Sequence, residues 1–175
     1  MTAGAGRRAN AVIAGVNKAG TSSLFVTLAS HPQVAASAVK ETRYFLPARW
    51  GRSLDPIADY EACFAEAGDR PIRLEATPAY FYGGDALVSA LHAVLGEPRV
   101  LVVFREPVAR FVSFFSYQQA RLRLPTDMTI EEYLEATVDR PAASFASPED
   151  EVWFGFRGGC YEEYPPRNQI GRAHV

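Results

Sequence analysis

Two short apolar runs, each followed at once by a turn and a helix, constrain the fold more than any other feature of this sequence. Asn10–Val16 (NAVIAGV) predicts a buried strand that ends in a Gly-rich turn, and Arg99–Phe104 (RVLVVF) predicts a second strand. A continuous apolar run is typical of a strand in a parallel sheet that is covered on both faces. Because parallel strands need helical crossovers, the pattern predicts an α/β fold of three layers, with a central parallel sheet flanked by helices.

The rest of the chain alternates between strand and helix patterns in the same way. A third strand is predicted at Ile72–Ala76. Proline follows Glu106 at the start of one helix, which suits the first turn because a backbone N–H there has no partner. Hydroxyl side chains at the start of the first helix are expected to partner its free N–H groups. The predicted helices are Thr21–Ser30, Pro56–Ala67, Gly84–Leu95, Glu106–Ala120 and Thr129–Val138.

Composition and charge exclude several classes of protein. The 175 residues carry 18 basic and 20 acidic side chains, and the pI is about 5.9, so no nucleic-acid partner is expected. A hydrophobic content of 48% argues against a disordered chain. Cys63 and Cys160 form no CxxC pair, which suits a reducing compartment. Since no apolar run approaches the roughly 20 residues of a membrane helix, we predict no membrane span and a cytoplasmic location.

The last six residues, 170–175, are unlike the rest of the chain. One reading frame of a widely used sequencing adapter translates to Ile-Gly-Arg-Ala-His-Val and then a stop, so we predict that this hexapeptide is an artefact of sequencing. The expected organisation is a disordered N-terminus at 1–9, a domain at 10–169 that is incomplete at its C-terminus, and the artefact. One of the three histidines falls in the hexapeptide, and the remaining two, without a paired acidic cluster, predict no metal site.

The loop between the first predicted strand and helix, Gly15–Ser22 (GVNKAGTS), predicts an anion site. Backbone N–H groups in such a loop, together with the N-terminus of the helix, favour a phosphate or a sulfate. The loop nearly matches the nucleotide-binding pattern G-x-x-x-x-G-K-[ST], but Thr21 follows Gly20 where that pattern has its lysine. The lysine lies earlier, at Lys18, so the cation moves from the far end of a triphosphate to a position inside the loop.

A second candidate anion-binding element follows the strand at Arg99–Phe104. Arg105 leaves this strand at the edge where open α/β sheets bind ligands, and Ser113 lies in the next helix. Arginine suits phosphate because its planar guanidinium is always charged and can bind two oxygens at once. Arg110 adds a cation for which we expect a structural or supporting role. An Arg105 that only caps the helix or pairs with Glu106 is the alternative. The aromatic residues of this helix are expected to pack in the core: Phe111, Phe114, Phe115 and Tyr117.

Both elements resemble the donor-binding motifs of sulfotransferases that use 3′-phosphoadenosine 5′-phosphosulfate (PAPS). Lys18–Ser22 (KAGTS) is similar to the K-x-G-T-[ST] loop of that family, and Arg105–Ser113 is similar to its R-[DE]-P-x-x-R-x-x-S element. The resemblance implies a P-loop-containing fold, PAPS as the donor, adenosine 3′,5′-bisphosphate (PAP) as the product, and no metal. It also implies that Lys18 contacts the oxygen that bridges phosphate and sulfate. The residues implied to bind the donor are Lys18, Ala19, Gly20, Thr21 and Ser22 for the 5′-phosphosulfate, and Arg105 and Ser113 for the 3′-phosphate.

A third segment resembles the sulfotransferases of this family that act on carbohydrates and related acceptors. Lys40–Phe45 (KETRYF) is similar to their K-E-x-x-[FY]-F segment. The resemblance implies that Glu41 is the general base for the acceptor and that Lys40 supports it electrostatically beside the substrate. A surface pair of Lys40 with Glu41 is the alternative. Arg43 stands where the family often has histidine, so the acceptor preference stays open.

A fourth segment, Glu75–Tyr80 (EATPAY), resembles the E-x-[ST]-P-x-Y segment beside the acceptor cleft of the family. The resemblance implies that Glu75 binds the acceptor or Lys40, with a purely structural role as the alternative. Ala76 stands where many carbohydrate enzymes have lysine. The implied function is transfer of a sulfuryl group from PAPS to a hydroxyl or amine of a carbohydrate or small molecule. The alternatives are a P-loop nucleotide kinase or NTPase, against which the displaced Lys18 argues, and a nucleotide-binding relative without catalysis.

Overall fold

The computed structural model describes residues 8–141, 145 and 147–164. These residues form two compact units, of which the first holds 8–16 and 20–104 and the second holds 17–19 and those from 105 onward. The predicted sequencing artefact lies outside the described residues. The predicted disordered N-terminus overlaps them only at Arg8 and Ala9, and both are packed. Ala9 is 2% exposed, and the Arg8 Nε donates a 2.8 Å hydrogen bond to Glu61.

The described part of the first unit is built on a sheet of four parallel strands. The strands are β1 (Ala11–Gly15), β2 (Val34–Ala36), β3 (Ile72–Ala76) and β4 (Arg99–Val102). Their spatial order is β2-β3-β1-β4, and the register places Val12 of β1 between Glu75 of β3 and Val100 of β4. The predicted parallel α/β sheet is confirmed.

Helices cover both faces of this sheet. On one face, α1 (Thr21–Ala29) packs Phe25 against Ile13 of β1. On the other face, Tyr60 and Leu87 pack around Val12. Successive residues of β1 reach opposite faces because side chains alternate along a strand. The unit therefore has the three predicted layers. The helices of the second face are α2 (Leu46–Arg49), α3 (Ile57–Ala62) and α4 (Gly84–Leu95).

Two strands differ from the sequence prediction. The sequence does not predict β2, because three residues are too few to show a strand pattern, and the strand is defined by its pairing of Val34 with Ile72. β4 is the last strand in the order of the described sheet. Its apolar residues, 100–102, are half-buried, whereas the continuous apolar run predicts a strand covered on both faces. The run is apolar because Val100 packs against the core on one face of the sheet and Leu101 packs against the core on the other.

The described part of the second unit is helical. Its elements are α5 (Pro107–Ala120), α6 (Ile130–Val138) and short 3-10 turns at Pro148–Trp153, Arg157–Gly159 and Tyr161–Glu163. α6 begins with a capping box, in which the Thr129 hydroxyl accepts the Glu132 N–H and the Glu132 carboxylate accepts the Thr129 N–H. Across residues 8–141, 145 and 147–164, no helix has the length and apolar character needed to cross a membrane.

Candidate functional site

Two glycines shape the connection between β1 and α1. Gly15 ends β1, and a Cβ added there would lie 2.6 Å from the Phe81 Cβ, so a larger residue would force a shift. Gly20 precedes α1 with a φ of 88°, a left-handed conformation that glycine adopts at low cost. Within the described residues no side chain caps α1, which differs from the predicted capping by hydroxyl groups. The N–H groups of the first turn therefore have no side-chain acceptor among the described residues, and N–H groups at a helix start can bind an anion.

Lys18 and Arg105 lie together in the second unit, although they are 87 positions apart in the sequence. The Arg105 Nη1 donates a hydrogen bond of 3.1 Å to the Lys18 carbonyl oxygen. The Lys18 ammonium group lies 4.2 Å from the centre of the Tyr117 ring on α5, and such a contact attracts a cation to the electron-rich ring face. The structure thus brings together one residue from each of the two predicted donor-binding elements.

The start of α5 is fixed by Glu106, the residue after Arg105. The Glu106 carboxylate accepts the N–H of Ala109 at 2.6 Å and the N–H of Val108 at 2.9 Å. These two hydrogen bonds hold the pKa of Glu106 below its ordinary value. The capping role that the sequence left open for Arg105 therefore belongs to Glu106, and the Arg105 side chain is directed to the loop instead.

This cap predicts how the stability of the second unit responds to acid. Because the folded pKa of Glu106 is lowered, its carboxylate contributes stability above the unfolded pKa, and that contribution is lost as the pH falls through the folded pKa. Glu106→Ala is therefore expected to lower the melting temperature more at about pH 7 than at about pH 3, because the contribution declines as the pH falls through the folded pKa. Thermal unfolding followed by circular dichroism measures both values. Glu135→Ala, at an exposed position of α6, is the control. An equal loss at both pH values would show that the charge of Glu106 is not what stabilises the cap.

Ser113 and Arg110 lie further along α5. Ser113 is half-buried, whereas Arg110 is completely buried and its Nη1 donates a 2.7 Å hydrogen bond to the Gly155 carbonyl oxygen. Tyr161 donates its hydroxyl to the Arg105 carbonyl oxygen at 2.7 Å. The segment that contains Gly155 and Tyr161 is thereby held against the start of α5, which agrees with the structural role expected of Arg110.

Glu41 lies in the loop between β2 and α2, beside two cations. The Lys40 Nζ lies 2.8 Å from one carboxylate oxygen of Glu41, and the Arg43 Nη2 lies 3.8 Å from the other. The Glu41 side chain is 38% exposed, and its N–H donates a 2.8 Å hydrogen bond to the carbonyl oxygen of Ala76 at the end of β3. An accessible carboxylate of this kind can accept a proton from a bound molecule. The Lys40–Glu41 pair fits both the predicted electrostatic support of a base and the alternative of a surface ion pair.

Glu75 lies in the interior of the first unit, completely buried, with hydroxyl groups around its carboxylate. The four hydroxyl donors belong to Thr42, Thr77, Tyr80 and Tyr60. Burial raises the pKa of both tyrosines above the ordinary value, and the charge of Glu75 raises it further. Lys40 pairs with Glu41, not with Glu75. The burial of Glu75 therefore favours the structural alternative over contact with an acceptor.

Comparison with the sequences of known proteins bears on the family of this chain. No family model matches it. The chain is 30% identical over 169 residues to heparan sulfate glucosamine 3-O-sulfotransferase 6 of Homo sapiens, an alignment that covers 94% of this chain and 44% of that protein. It is 33% identical over 122 residues to heparan sulfate glucosamine 3-O-sulfotransferase 3B1 of Homo sapiens, covering 69% of this chain and 29% of that protein. The chain thus spans less than half the length of these curated relatives.

A solved structure has the same fold. The sulfotransferase from Alicyclobacillus acidocaldarius matches with a TM-score of 0.77 at 22% identity, over 94% of this chain and 70% of that chain. The chain is homologous to sulfotransferases in sequence and has the fold of one. The predicted resemblance to sulfotransferases is confirmed. The role of each individual residue stays a prediction.

The sequence prediction is wrong about Tyr117. Core packing is predicted for the aromatic residues of α5, and Phe114 and Phe115 are buried as predicted. Tyr117 is instead 36% exposed and lies between two cations, with Lys18 over its ring and the Arg121 Nη1 donating to its hydroxyl at 3.0 Å. The spacing holds no signal for this, because Tyr117 lies three residues, or only about 60° around the helix, from the buried Phe114.

The two units offer different chemistry. In the second unit, the cations Lys18 and Arg105 suit phosphate or sulfate oxygens. In the first unit, Glu41 can accept a proton, and the uncapped start of α1 presents N–H groups. Among the residues described, no group of three or more His, Cys, Asp or Glu side chains is arranged to hold a metal ion.

Proposed function

We propose that the protein containing this chain is a PAPS-dependent sulfotransferase that transfers a sulfuryl group to a hydroxyl or amine of a carbohydrate or small molecule. The observation that carries the proposal is the hydrogen bond from Arg105 to the Lys18 carbonyl oxygen, because it joins the two elements that resemble donor-binding motifs. The relatives named as heparan sulfate glucosamine 3-O-sulfotransferases support the activity and favour a carbohydrate acceptor.

The chemistry of the chain fits a donor that carries phosphate groups at the 5′ and 3′ positions of its ribose. We assign the 5′-phosphosulfate to Lys18 and residues 19–22, where the uncapped first turn of α1 supplies N–H groups and Thr21 and Ser22 supply hydroxyls. We assign the 3′-phosphate to Arg105 and Ser113, since a guanidinium binds phosphate through two parallel hydrogen bonds. Binding of the 3′-phosphate by these two residues is what would distinguish PAPS from a donor without a 3′-phosphate.

In the proposed reaction, a lone pair of the acceptor oxygen or nitrogen attacks sulfur, the bond from sulfur to the bridging oxygen breaks, and PAP leaves. Glu41 accepts the proton that the acceptor loses. Lys18 stabilises the negative charge that develops on the bridging oxygen, a contribution specific to the transition state. Lys40, 2.8 Å from the Glu41 carboxylate, orients that base. We propose no metal for this step, because Lys18 supplies the positive charge at the leaving group.

A transfer assay separates this function from its alternatives. Radiolabelled sulfur is followed from PAPS to a panel of acceptors that includes glucosamine-containing oligosaccharides, phenols and amines. Labelled product from any acceptor supports the proposal, whereas PAP binding without transfer to the panel favours a nucleotide-binding relative without catalysis. The kinase or NTPase alternative has less support, since Thr21 stands where its lysine would be. The cytoplasmic location stays a prediction.

Arg105→Ala tests the assignment of the 3′-phosphate. We expect this change to weaken PAP binding by about 1.5–3 kcal/mol, the range for a hydrogen bond to a charged group. Binding of 5′-AMP, which lacks the 3′-phosphate, should change little. Titration calorimetry with the two nucleotides measures the difference, and Arg123→Ala, at an exposed position after α5, is the control. If the affinities for PAP and for 5′-AMP fall equally, Arg105 supports the loop and does not recognise the 3′-phosphate.

A further inference from the structure

A buried hydrogen-bond network connects Glu75 to the loop that contains Glu41. The network has four hydroxyl donors to the Glu75 carboxylate: Tyr60 at 2.7 Å, Tyr80 at 2.7 Å, Thr77 at 3.0 Å, and Thr42. Glu75 is 0% exposed, and neither tyrosine is more than 1% exposed. A carboxylate this deeply buried is stable only when hydrogen bonds compensate the loss of water, and these donors supply them.

Three of the four hydroxyls also hold the backbone of the loop. The N–H groups of residues 43, 44 and 45 donate, in that order, to Thr77 at 3.2 Å, Thr42 at 3.4 Å and Tyr80 at 3.3 Å. Each hydroxyl oxygen is free to accept because its own hydrogen is directed to Glu75. The fourth hydroxyl, that of Tyr60, accepts none of these three N–H groups. Its hydrogen bond with the backbone is at Ala9.

The loop adopts a backbone conformation that needs such restraint. The φ angle is 63° at Glu41 and 58° at Arg43, in the left-handed region that residues with side chains seldom occupy. Conformations of this kind are costly and persist only where the surrounding structure imposes them. The Glu41 N–H is fixed to the Ala76 carbonyl oxygen at 2.8 Å, and the hydroxyls bonded to Glu75 fix the three residues after Thr42.

We propose that Glu75 is a positioning residue, which holds the Glu41–Phe45 loop through the hydroxyls of its network and thereby sets the position of the Glu41 carboxylate. The inference rests on the proposed function, in which Glu41 is the general base. Glu75 acts only through its hydroxyl partners. Its burial keeps it from touching a substrate. This role explains why a glutamate lies in the interior of the first unit at the end of β3.

Two tyrosine variants of the full chain form a matched test. Tyr80→Phe and Tyr60→Phe each remove one hydroxyl that donates to Glu75 from an equally buried ring, but only Tyr80→Phe releases a loop N–H. We expect exchange of the amide hydrogens at 43–45 to rise by about tenfold or more in Tyr80→Phe and by less than about threefold in Tyr60→Phe. In parallel, kcat should fall by about tenfold to a hundredfold in Tyr80→Phe, the cost of a misplaced catalytic group, while the Kd for PAP stays the same.

The outcomes separate positioning from general destabilisation. Equal loss of amide protection and of kcat in the two variants would overturn the proposal, as would unchanged protection of 43–45 in Tyr80→Phe. Lost protection with wild-type kcat would show that the loop does not set the base. If the wild-type protein transfers no sulfuryl group, the proposed function fails, while the exchange measurement still decides whether the hydroxyl network around Glu75 holds the loop. If Tyr80→Phe does not fold, Thr42→Val carries the same expectations, since Thr42 is only half-buried.

Discussion

Lys18→Ala is expected to lower kcat for sulfuryl transfer by about a hundredfold to a thousandfold, the cost of removing one preorganised group that stabilises charge in the transition state. The affinity for PAP should change by less than about fivefold, because catalysis depends on contacts stronger in the transition state than in the bound product. PAP carries no sulfate, so it lacks the bridging oxygen that Lys18 is proposed to contact. Steady-state turnover with PAPS and titration calorimetry with PAP measure the two quantities.

Arg121→Ala is the control for this variant. The Arg121 guanidinium lies 5.4 Å from the centre of the same Tyr117 ring that the Lys18 ammonium group contacts, but it has no proposed part in the reaction. Since exposed charged contacts contribute little, we expect Arg121→Ala to change kcat by less than about twofold. Wild-type turnover in Lys18→Ala would contradict the assignment of Lys18. An equal loss in the two variants would show that the contact with Tyr117, not the transition state, accounts for the effect.

Glu41→Gln is expected to lower kcat by about 10²–10⁴-fold, the usual contribution of a positioned general base. Glutamine has nearly the same shape as glutamate but does not accept the acceptor's proton. PAP offers no such proton, so its affinity should not change. Initial rates at saturating PAPS and acceptor measure the loss of turnover, and calorimetry with PAP measures the donor affinity.

Lys40→Met distinguishes the contribution of the Glu41 base to kcat from that of its ion pair with Lys40. This change breaks the 2.8 Å contact with Glu41 but leaves the carboxylate in place, so its effect on kcat should be smaller than that of Glu41→Gln. If Lys40→Met is as damaging as Glu41→Gln, the ion pair matters more than proton transfer. A Glu41→Gln protein that keeps half of the wild-type kcat would place the base elsewhere.

Most of the secondary structure is predictable because it depends on neighbouring residues. β1 follows from a short apolar run, β3 from apolar residues that alternate with charged ones, and α4 from apolar residues at helical spacing. β2 is not predictable from its three residues, since it exists only through its pairing with β3. The half-buried state of β4 is likewise a property of its place at the edge of the described sheet, which no local pattern encodes.

The candidate site likewise contains residues that the sequence can predict and contacts that it cannot. Lys18, Arg105 and Glu41 are predictable because each lies in a short motif with a recognisable spacing. The network of Glu75 is not, because Thr42 and Tyr60 reach it from 33 and 15 positions away in the sequence. A local pattern does not separate a buried carboxylate with four hydroxyl donors from an exposed one that binds a ligand. The contact of Lys18 with Tyr117 likewise depends on how the loop lies against α5.

Competition between PAP and ATP, measured with and without magnesium, decides whether the anion-binding residues of this chain belong to a PAPS site. We expect PAP to bind at least about tenfold more tightly than ATP and more tightly than 5′-AMP, because Arg105 and Ser113 would grip the 3′-phosphate through charge-assisted hydrogen bonds. Magnesium should not change this order. Tight, magnesium-dependent binding of ATP with no preference for PAP would contradict the proposed donor and support a nucleotide kinase or NTPase.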